Sequence, residues 1–204
     1  MTLAEAVTAT FGITPVAKSP QRLDGSRWEH LPTLLAMMGL SRGAEIGVEQ
    51  GRFSERLCRR VPCLELTCVD AWAAYDGYRE HVSQEKLDSF YADTQRRLAP
   101  YGCCDIRRGT SQDVAATIPD RSLDFVYIDA NHRLEFVIAD LAAWVPKVRP
   151  GGLISGHDYR RDDKHHRLYH VREAVHAWVS AYQIPEWYLL TQDRSPSWLW
   201  EARG

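Results

Sequence analysis

Side chains that can carry charge or move protons lie at or just after the ends of three short, mainly apolar runs of the sequence, at 64–70, 123–129 and 153–156. They are Asp70, Asp129 with His132 three residues later, and the neighbouring pair His157 and Asp158. Because the carboxyl ends of parallel strands meet at one edge of a sheet, residues so distant in the chain are expected to lie close together. Carboxylates and imidazoles at one edge predict proton transfer or cation binding.

One candidate cation site consists of Asp129, His157 and Asp158. Two carboxylates and an imidazole suit a divalent cation such as Mg²⁺, with coordination positions left for substrate oxygens. In the alternative, Asp129 contacts an organic cofactor and the His-Asp pair supports a loop. The sequence leaves both interpretations open.

A strand, a tight turn and a helix are predicted over residues 44–58, AEIGVEQGRFSERLC. An apolar run ends near Gly47, and beyond Gly51 apolar residues recur at helical spacing. A turn containing glycine lets a ligand lie against the backbone, and the helix N-terminus offers free N–H groups to an anion. Glu45 lies inside the strand, where a carboxylate is costly unless it has a partner.

Asp70 extends this pattern toward nucleoside binding. It ends the next apolar run, at the distance of roughly 20 residues where doubly wound folds place the carboxylate that binds ribose hydroxyls. The stretch contains neither G-x-G-x-x-G nor a P-loop. Strand, glycine turn, helix, strand and terminal acid together predict a nucleoside-binding half-domain.

The whole chain alternates strand and helix patterns, which predicts a doubly wound α/β fold. Five strand–helix units are followed by a pair of strands around a turn at 193–196. We therefore expect a three-layer sandwich with a mostly parallel, seven-stranded sheet and an antiparallel C-terminal edge strand.

The predicted organisation is a single domain, in which an N-terminal helical cap over 1–43 precedes the ligand-binding domain over 44–204. Within the cap, 3–11 is predicted to be a helix and 12–25 a loop. A second helix is expected to start at Ser26 as its N-cap. That helix either covers one face of the sheet or acts as a lid over the ligand.

The composition is that of a soluble globular protein. Of 204 residues, 45% are apolar and 25% charged, and the net charge is −2. Neither nucleic acid nor a membrane is expected as a partner, and without a visible signal peptide or membrane span a cytoplasmic location is expected. The five cysteines contain no C-x-x-C pair, which favours free thiols over a disulfide framework or a zinc knuckle.

Two segments are candidates for the walls of the binding site. After Asp70 the chain carries four aromatic or histidine residues, Trp72, Tyr75, Tyr78 and His81. The segment 160–170 is rich in arginine and histidine. Loops at the carboxyl ends of strands build binding sites in open α/β sheets, so both segments are expected to face the ligand.

Several motifs together resemble the class I S-adenosylmethionine-dependent methyltransferases. They are EIGVEQG, the acid Asp70, GTSQD at 109–113, VYIDANH and RPGGLISGHDY. The resemblance covers about residues 44–159. Within the class, the chain looks like small bacterial methyltransferases related to sugar and macrolide-sugar O-methyltransferases, and it is similar to catechol-type O-methyltransferases.

The resemblance implies roles for individual residues. The cofactor-binding set would be Glu45, Gly47 and Gly51 at the methionine end, Asp70 at the ribose, Ser111 and Gln112 at the adenine, and Asp129. Asp129 also matches a metal ligand of the catechol-type enzymes. His157 and Asp158 fall where those enzymes carry an Asp-Asn pair, and His132 falls where they carry a lysine base. Both histidines depart from the catechol-type pattern.

The function implied is O-methylation of a small-molecule hydroxyl, on a sugar, a phenol or a natural product. His132 would be the base and Asp129 the second catalytic residue, with S-adenosylmethionine as cofactor and with or without Mg²⁺ or another divalent cation. The alternatives are an NAD-dependent dehydrogenase and a catalytically inactive binding protein of the same fold. Assembly into a homo-oligomer is left open.

Overall fold

The computed structural model describes residues 1–14, 19–74, 83–160 and 169–204. These ranges contain seven α-helices and eight β-strands. The helices are α1 (Leu3–Phe11), α2 (His30–Met38), α3 (Arg52–Arg60), α4 (Gln84–Leu98), α5 (Ser111–Ala116), α6 (Leu134–Trp144) and α7 (Val171–Ala181). The strands are β1 (Gln21–Leu23), β2 (Arg42–Ile46), β3 (Glu65–Asp70), β4 (Cys104–Arg108), β5 (Leu123–Ile128), β6 (Val148–Gly156), β7 (Tyr188–Leu190) and β8 (Ser197–Glu201).

All the described strands belong to one sheet, in the order β1-β7-β8-β6-β5-β2-β3-β4. Neighbours are parallel, except that β8 runs antiparallel to both β6 and β7. From β2 the chain proceeds outward through β3 and β4, and it then returns to build β5 and β6 on the other side. The junction between β2 and β5 is therefore a topological switch point, where open α/β sheets bind their ligands.

The side chains of β5 alternate between two hydrophobic layers. Phe125 and Tyr127 belong to the cluster that packs against α1 to α4, whereas Val126 and Ile128 belong to the cluster that packs against α6 and α7. This period of two places an apolar side chain on each face in turn, as expected for a strand buried on both sides. The predicted doubly wound three-layer α/β class is confirmed.

The prediction of seven strands was wrong by one. Residues Gln21–Leu23 form β1 within the range 12–25 that was predicted to be a loop, and β1 pairs with β7. Three residues are too few to show an alternating pattern in the sequence. The antiparallel strand, β8, is not the predicted edge strand, because it lies inside the sheet between β6 and β7, and the addition of β1 to β7 makes β1 the edge.

Ser26 is not the N-cap of α2, which begins at His30. Its hydroxyl accepts a hydrogen bond from Trp28 N at 3.1 Å and donates one to Asp193 Oδ1 at 2.8 Å, so it fixes the turn that precedes the helix. Pro32 lies in the first turn of α2, where its missing N–H has no intrahelical partner to lose. Among the helices of the described ranges, none combines the length and apolar character that crossing a bilayer requires.

Candidate active site

The carboxyl ends of the central strands meet at one edge of the sheet. Asp129 N donates to Ile46 O at 2.7 Å, and His157 N donates to Ile128 O at 3.0 Å. The residues that follow β2, β5 and β6 are therefore neighbours along this edge. On the other side of β2, the parallel register of β3 brings Asp70 to the same edge.

The turn after β2 depends on two glycines with positive φ. Gly47 has φ +89°, and a Cβ there would lie 2.2 Å from the backbone oxygen of Asp129. Gly51 has φ +69° and occupies the N-cap position of α3. The turn thus runs directly against the end of β5, at the switch point, and the N–H groups of the first turn of α3 are directed toward the same edge.

Asp70 organises the loop that faces this turn. Its carboxylate accepts hydrogen bonds from Glu49 N and Trp72 N, each at 2.9 Å. Burial raises the pKa of Asp70, although these backbone donors oppose the shift. A carboxylate offers about four acceptor sites, and ligand hydroxyls would use those that the backbone donors leave.

Trp72 is almost completely buried, with 1% of its surface exposed, and its indole Nε1 donates to Glu49 O at 2.7 Å. It therefore braces the glycine turn from behind. Of the predicted aromatic wall, Tyr75, Tyr78 and His81 lie outside the described residues.

Glu45 lies inside the protein and is 2% exposed. Ser54 Oγ on α3 donates to its Oε2 at 2.6 Å, which provides the partner that a buried carboxylate needs. Burial raises the pKa of Glu45 to about 8, against the opposing effect of the Ser54 hydrogen bond. At neutral pH the group is thus largely protonated, and it joins β2 to α3 as a neutral hydrogen-bonding group.

Ser111 and Gln112 lie at the start of α5, whose N-cap is Thr110. Trp144 Nε1 donates to Ser111 Oγ at 2.8 Å, and Gln112 Nε2 donates to Asp140 Oδ1 at 3.0 Å. Both side chains make contacts with α6, and their contact with adenine stays a prediction.

Arg27 is the most important site residue that the sequence analysis missed. Its Nη1 donates to Asp129 Oδ2 and to Tyr127 OH, each at 2.7 Å. Its guanidinium carbon lies 5.0 Å from the ring centre of Trp28 and 5.4 Å from that of Phe53. Burial alone would lower the pKa of Arg27, but Tyr127 and Asp129 raise it overall, so the positive charge is permanent. No motif marked this arginine.

His132 lies between two carboxylates. Its Nε2 is 2.9 Å from Asp158 Oδ2 and 3.9 Å from Asp129 Oδ1, and its ring stacks on that of Tyr169 at a centroid distance of 4.9 Å. Burial opposes ionisation of Asp158, but His132 holds the pKa of Asp158 well below its usual range. An imidazolium formed at His132 would be stabilised by both acids.

The residues around Asp129 also fit a divalent cation. One ligand atom from each of Asp129, His132 and Asp158 can be chosen so that all lie within 4.8 Å of one another. Arg27 occupies Oδ2 of Asp129 and leaves Oδ1 for a cation. His157, the predicted third ligand, lies outside this group, and its Nδ1 is 2.9 Å from Ser197 Oγ. Burial lowers the pKa of His157, which favours a neutral ring.

The comparisons with known proteins identify the family. The model of the methyltransferase domain matches residues 44–159, more than half of the chain. The chain belongs to the methyltransferase-domain family. The resemblance to class I S-adenosylmethionine-dependent methyltransferases that the motifs indicated is confirmed. None of the curated proteins matches the chain significantly.

Solved methyltransferases share the fold. The O-methyltransferase TomG from Streptomyces achromogenes, solved with S-adenosylmethionine and involved in tomaymycin synthesis, is similar with a TM-score of 0.62 and 17% identity, covering 99% of this chain and 89% of that one. An O-methyltransferase from Bacillus cereus, in complex with S-adenosylhomocysteine, has a TM-score of 0.61 and 16% identity, covering 97% and 89%. At these identities the likeness shows the fold alone.

This methyltransferase has an open cleft of about 420 Å³ beside Asp158. Its lining residues are Arg27, Trp28, His157, Asp158, Arg160, Tyr169, Asp193, Arg194 and Ser195. Most of them lie before or after the range that the family model matches. Of the predicted wall at 160–170, Arg160 and Tyr169 line the cleft, and 161–168 lie outside the described residues.

Proposed function

We propose that this methyltransferase transfers the methyl group of S-adenosylmethionine to a hydroxyl oxygen of a small molecule. One observation carries the proposal: the glycine turn and Asp70 share a sheet edge with the group formed by Asp129, His132 and Asp158, next to an open cleft. In this proposal, a nucleoside site would adjoin a site suited to proton transfer. TomG and the Bacillus cereus enzyme are both O-methyltransferases, which supports oxygen as the acceptor atom.

The cofactor half of the site is the turn from Gly47 to Gly51 together with Asp70. Gly47 and Gly51 would let the methionine end lie against the backbone, and Asp70 would accept hydrogen bonds from the ribose hydroxyls. Bound S-adenosylmethionine supplies a methyl group on a positively charged sulfur. Glu45 acts from behind this surface, because its carboxyl group is directed to Ser54.

The acceptor half of the site is the group of Asp129, His132 and Asp158 with the cleft beside it. There, His132 would remove the hydroxyl proton while the acceptor oxygen attacks the methyl carbon and the carbon–sulfur bond breaks. The proton would then reside on an imidazolium next to Asp158 and Asp129. The protonated side chain of histidine has a pKa of about 6.5 in water, which suits this proton exchange near neutral pH. Arg27 would keep Asp129 ionised and in place.

A divalent cation would be held by Asp129, Asp158 and one histidine, and it would supply a Lewis acid that lowers the pKa of an acceptor hydroxyl. That histidine would be His132, because His157 lies outside the group that these acids form. If His132 Nε2 binds a cation, the same atom is not free to take the proton. The role of base and the role of ligand therefore exclude each other at this atom.

The test is ligand binding followed by turnover. In calorimetry, we expect S-adenosylmethionine and S-adenosylhomocysteine to bind and NAD not to bind, because the chain lacks the dinucleotide motif. Methyl transfer would then be measured by mass spectrometry against a panel of sugars, phenols and small natural products, with Mg²⁺ and with EDTA. NAD binding would favour the dehydrogenase alternative. Cofactor binding without transfer to any of these acceptor classes would favour the inactive binding protein.

A further inference from the structure

Three cysteines that are distant in the sequence meet below the cofactor half of the site. Cys58 lies on α3, Cys104 is the first residue of β4, and Cys103 precedes it. The Cys58 and Cys104 sulfurs are 3.2 Å apart, those of Cys58 and Cys103 are 3.6 Å apart, and all three lie within 4.8 Å of one another. The fold thus creates a three-thiol cluster that the spacing in the sequence does not reveal.

The local backbone explains how two adjacent cysteines face the same partner. Successive side chains of a strand point to opposite faces, but Cys103 lies in the turn before β4, where the chain is not yet extended. Cys104 packs against the hydrophobic cluster on the α3 side of the sheet, and so does Cys58. Each of the three is only partly buried, so solutes can reach the cluster.

The arrangement matches a single coordination sphere. In tetrahedral zinc sites the metal–sulfur distance is about 2.3 Å, which separates neighbouring sulfurs by roughly 3.8 Å. Thiolates are soft ligands that select Zn²⁺ or Cu⁺ over harder cations. Three protein ligands leave one coordination position for water.

We propose that Cys58, Cys103 and Cys104 bind a thiophilic closed-shell cation, Zn²⁺ or Cu⁺. The three thiols lose their protons to solvent as the three metal–sulfur bonds form. The cation ties α3 to β4. Because α3 begins at the Gly51 turn and β4 leads to Gly109, whose N–H donates to Asp70 O, the bond stiffens the cofactor half from below.

The test uses the reduced full-length protein and Co²⁺ as a spectroscopic substitute for Zn²⁺. We expect one equivalent of Co²⁺ to give intense sulfur-to-cobalt absorption that Zn²⁺ abolishes. Cys58→Ser and Cys104→Ser should each lose this signal. Cys63→Ser is the matched control, because Cys63 is exposed and lies outside the cluster, and it should keep the signal. A competition titration with a Cu⁺-specific chelator then decides between the two cations.

A second measurement does not need the variants to fold. Maleimide labelling of the wild-type protein, mapped by mass spectrometry, should show that Zn²⁺ or Cu⁺ protects Cys58, Cys103 and Cys104 but not Cys63. A cobalt spectrum that survives in Cys104→Ser, or equal labelling with and without both metals, would overturn the proposal. Neither readout depends on methyl transfer, so a negative result for metal binding would leave the proposed function intact.

Discussion

The two halves of the carboxyl edge are built in different ways. The cofactor half comes from one continuous part of the chain, 44–112, and its polar groups are satisfied largely by backbone donors and by Ser54. The acceptor half combines Asp129 and Asp158 with Arg27 from the N-terminal segment and with the loop 193–195. The first half is a surface formed by glycines and strand ends, whereas the second is a set of paired charges around a cleft.

This difference matters for specificity. A backbone surface is fixed by glycines and strand ends, so it can change little without loss of the fold. The acceptor half depends on side chains from several segments, which can be exchanged while the sheet remains. We therefore expect the identity of the acceptor to be determined by the segments on either side of 44–159, and the methyl donor by the matched range itself.

The largest expected effect is at Gly47, where the two halves touch. Gly47→Ala places a Cβ 2.2 Å from the Asp129 oxygen at φ +89°, so the change should cost roughly 3–5 kcal/mol of unfolding free energy through strain and displacement. Gly12→Ala is the control, because Gly12 also has a positive φ but its Cβ would have no neighbour within 4 Å. Urea unfolding measures both. Equal losses would mean that close contact between the halves is unimportant.

Replacement of His132 is expected to affect methyl transfer but not cofactor binding, so it distinguishes the two halves of the site. His132→Gln should lower the methyl-transfer rate roughly 10²- to 10⁴-fold, the usual contribution of a general base, and should leave the affinity for S-adenosylmethionine unchanged. His157→Gln is the matched histidine control and should have a smaller effect. Mn²⁺ binding followed by electron paramagnetic resonance assigns the metal role. If His132→Gln abolishes Mn²⁺ binding, the residue is a ligand and the base lies elsewhere.

Arg27 tests whether the acceptor half needs a residue from outside the family match. Arg27→Met leaves Asp129 without its cation, and for side chains only 16% and 20% exposed the loss should be about 3 kcal/mol. Thermal unfolding with and without Mg²⁺ measures it. In the absence of the arginine, a bound Mg²⁺ can neutralise Asp129. Mg²⁺ should therefore stabilise the variant more than the wild type. Equal stabilisation by Mg²⁺ would show that Asp129 does not bind the cation.

The sequence predicted the placement of Gly47, Gly51 and Asp70 better than the contacts around Asp129, for a physical reason. Gly47, Gly51 and Asp70 belong to a local pattern of turn and strand end, and such patterns leave their trace within about twenty residues. The pairing of Arg27 with Asp129 joins residues about a hundred positions apart, because the segment between β1 and α2 lies against the end of β5. One arginine among many carries no local signal for such a contact. The convergence of Cys58 with Cys104 escaped prediction in the same way.

A smaller effect is expected at Asp70, within the cofactor half. Asp70→Ala removes the acceptor of a ribose hydrogen bond, worth about 1.5–3 kcal/mol for a charged group, so the affinity for S-adenosylmethionine should fall roughly 10- to 100-fold. Asp105→Ala, on the exposed end of the neighbouring strand, is the control. Calorimetry with S-adenosylhomocysteine gives the same comparison without turnover. Unchanged affinity in Asp70→Ala would remove the residue from the binding site.

The smallest effect, per unit of pH, concerns Glu45. Its pKa is raised from 4.5 to about 8 in the folded protein, so between these values the native state binds more protons than the unfolded state. Stability then falls as the pH rises through this window, by about 1 kcal/mol per pH unit, and levels off above the folded pKa. Glu45→Gln keeps a neutral hydrogen-bonding group and should remove this slope. Urea unfolding from pH 5 to pH 9 compares the two proteins, and parallel slopes would mean that Glu45 is already ionised beside Ser54.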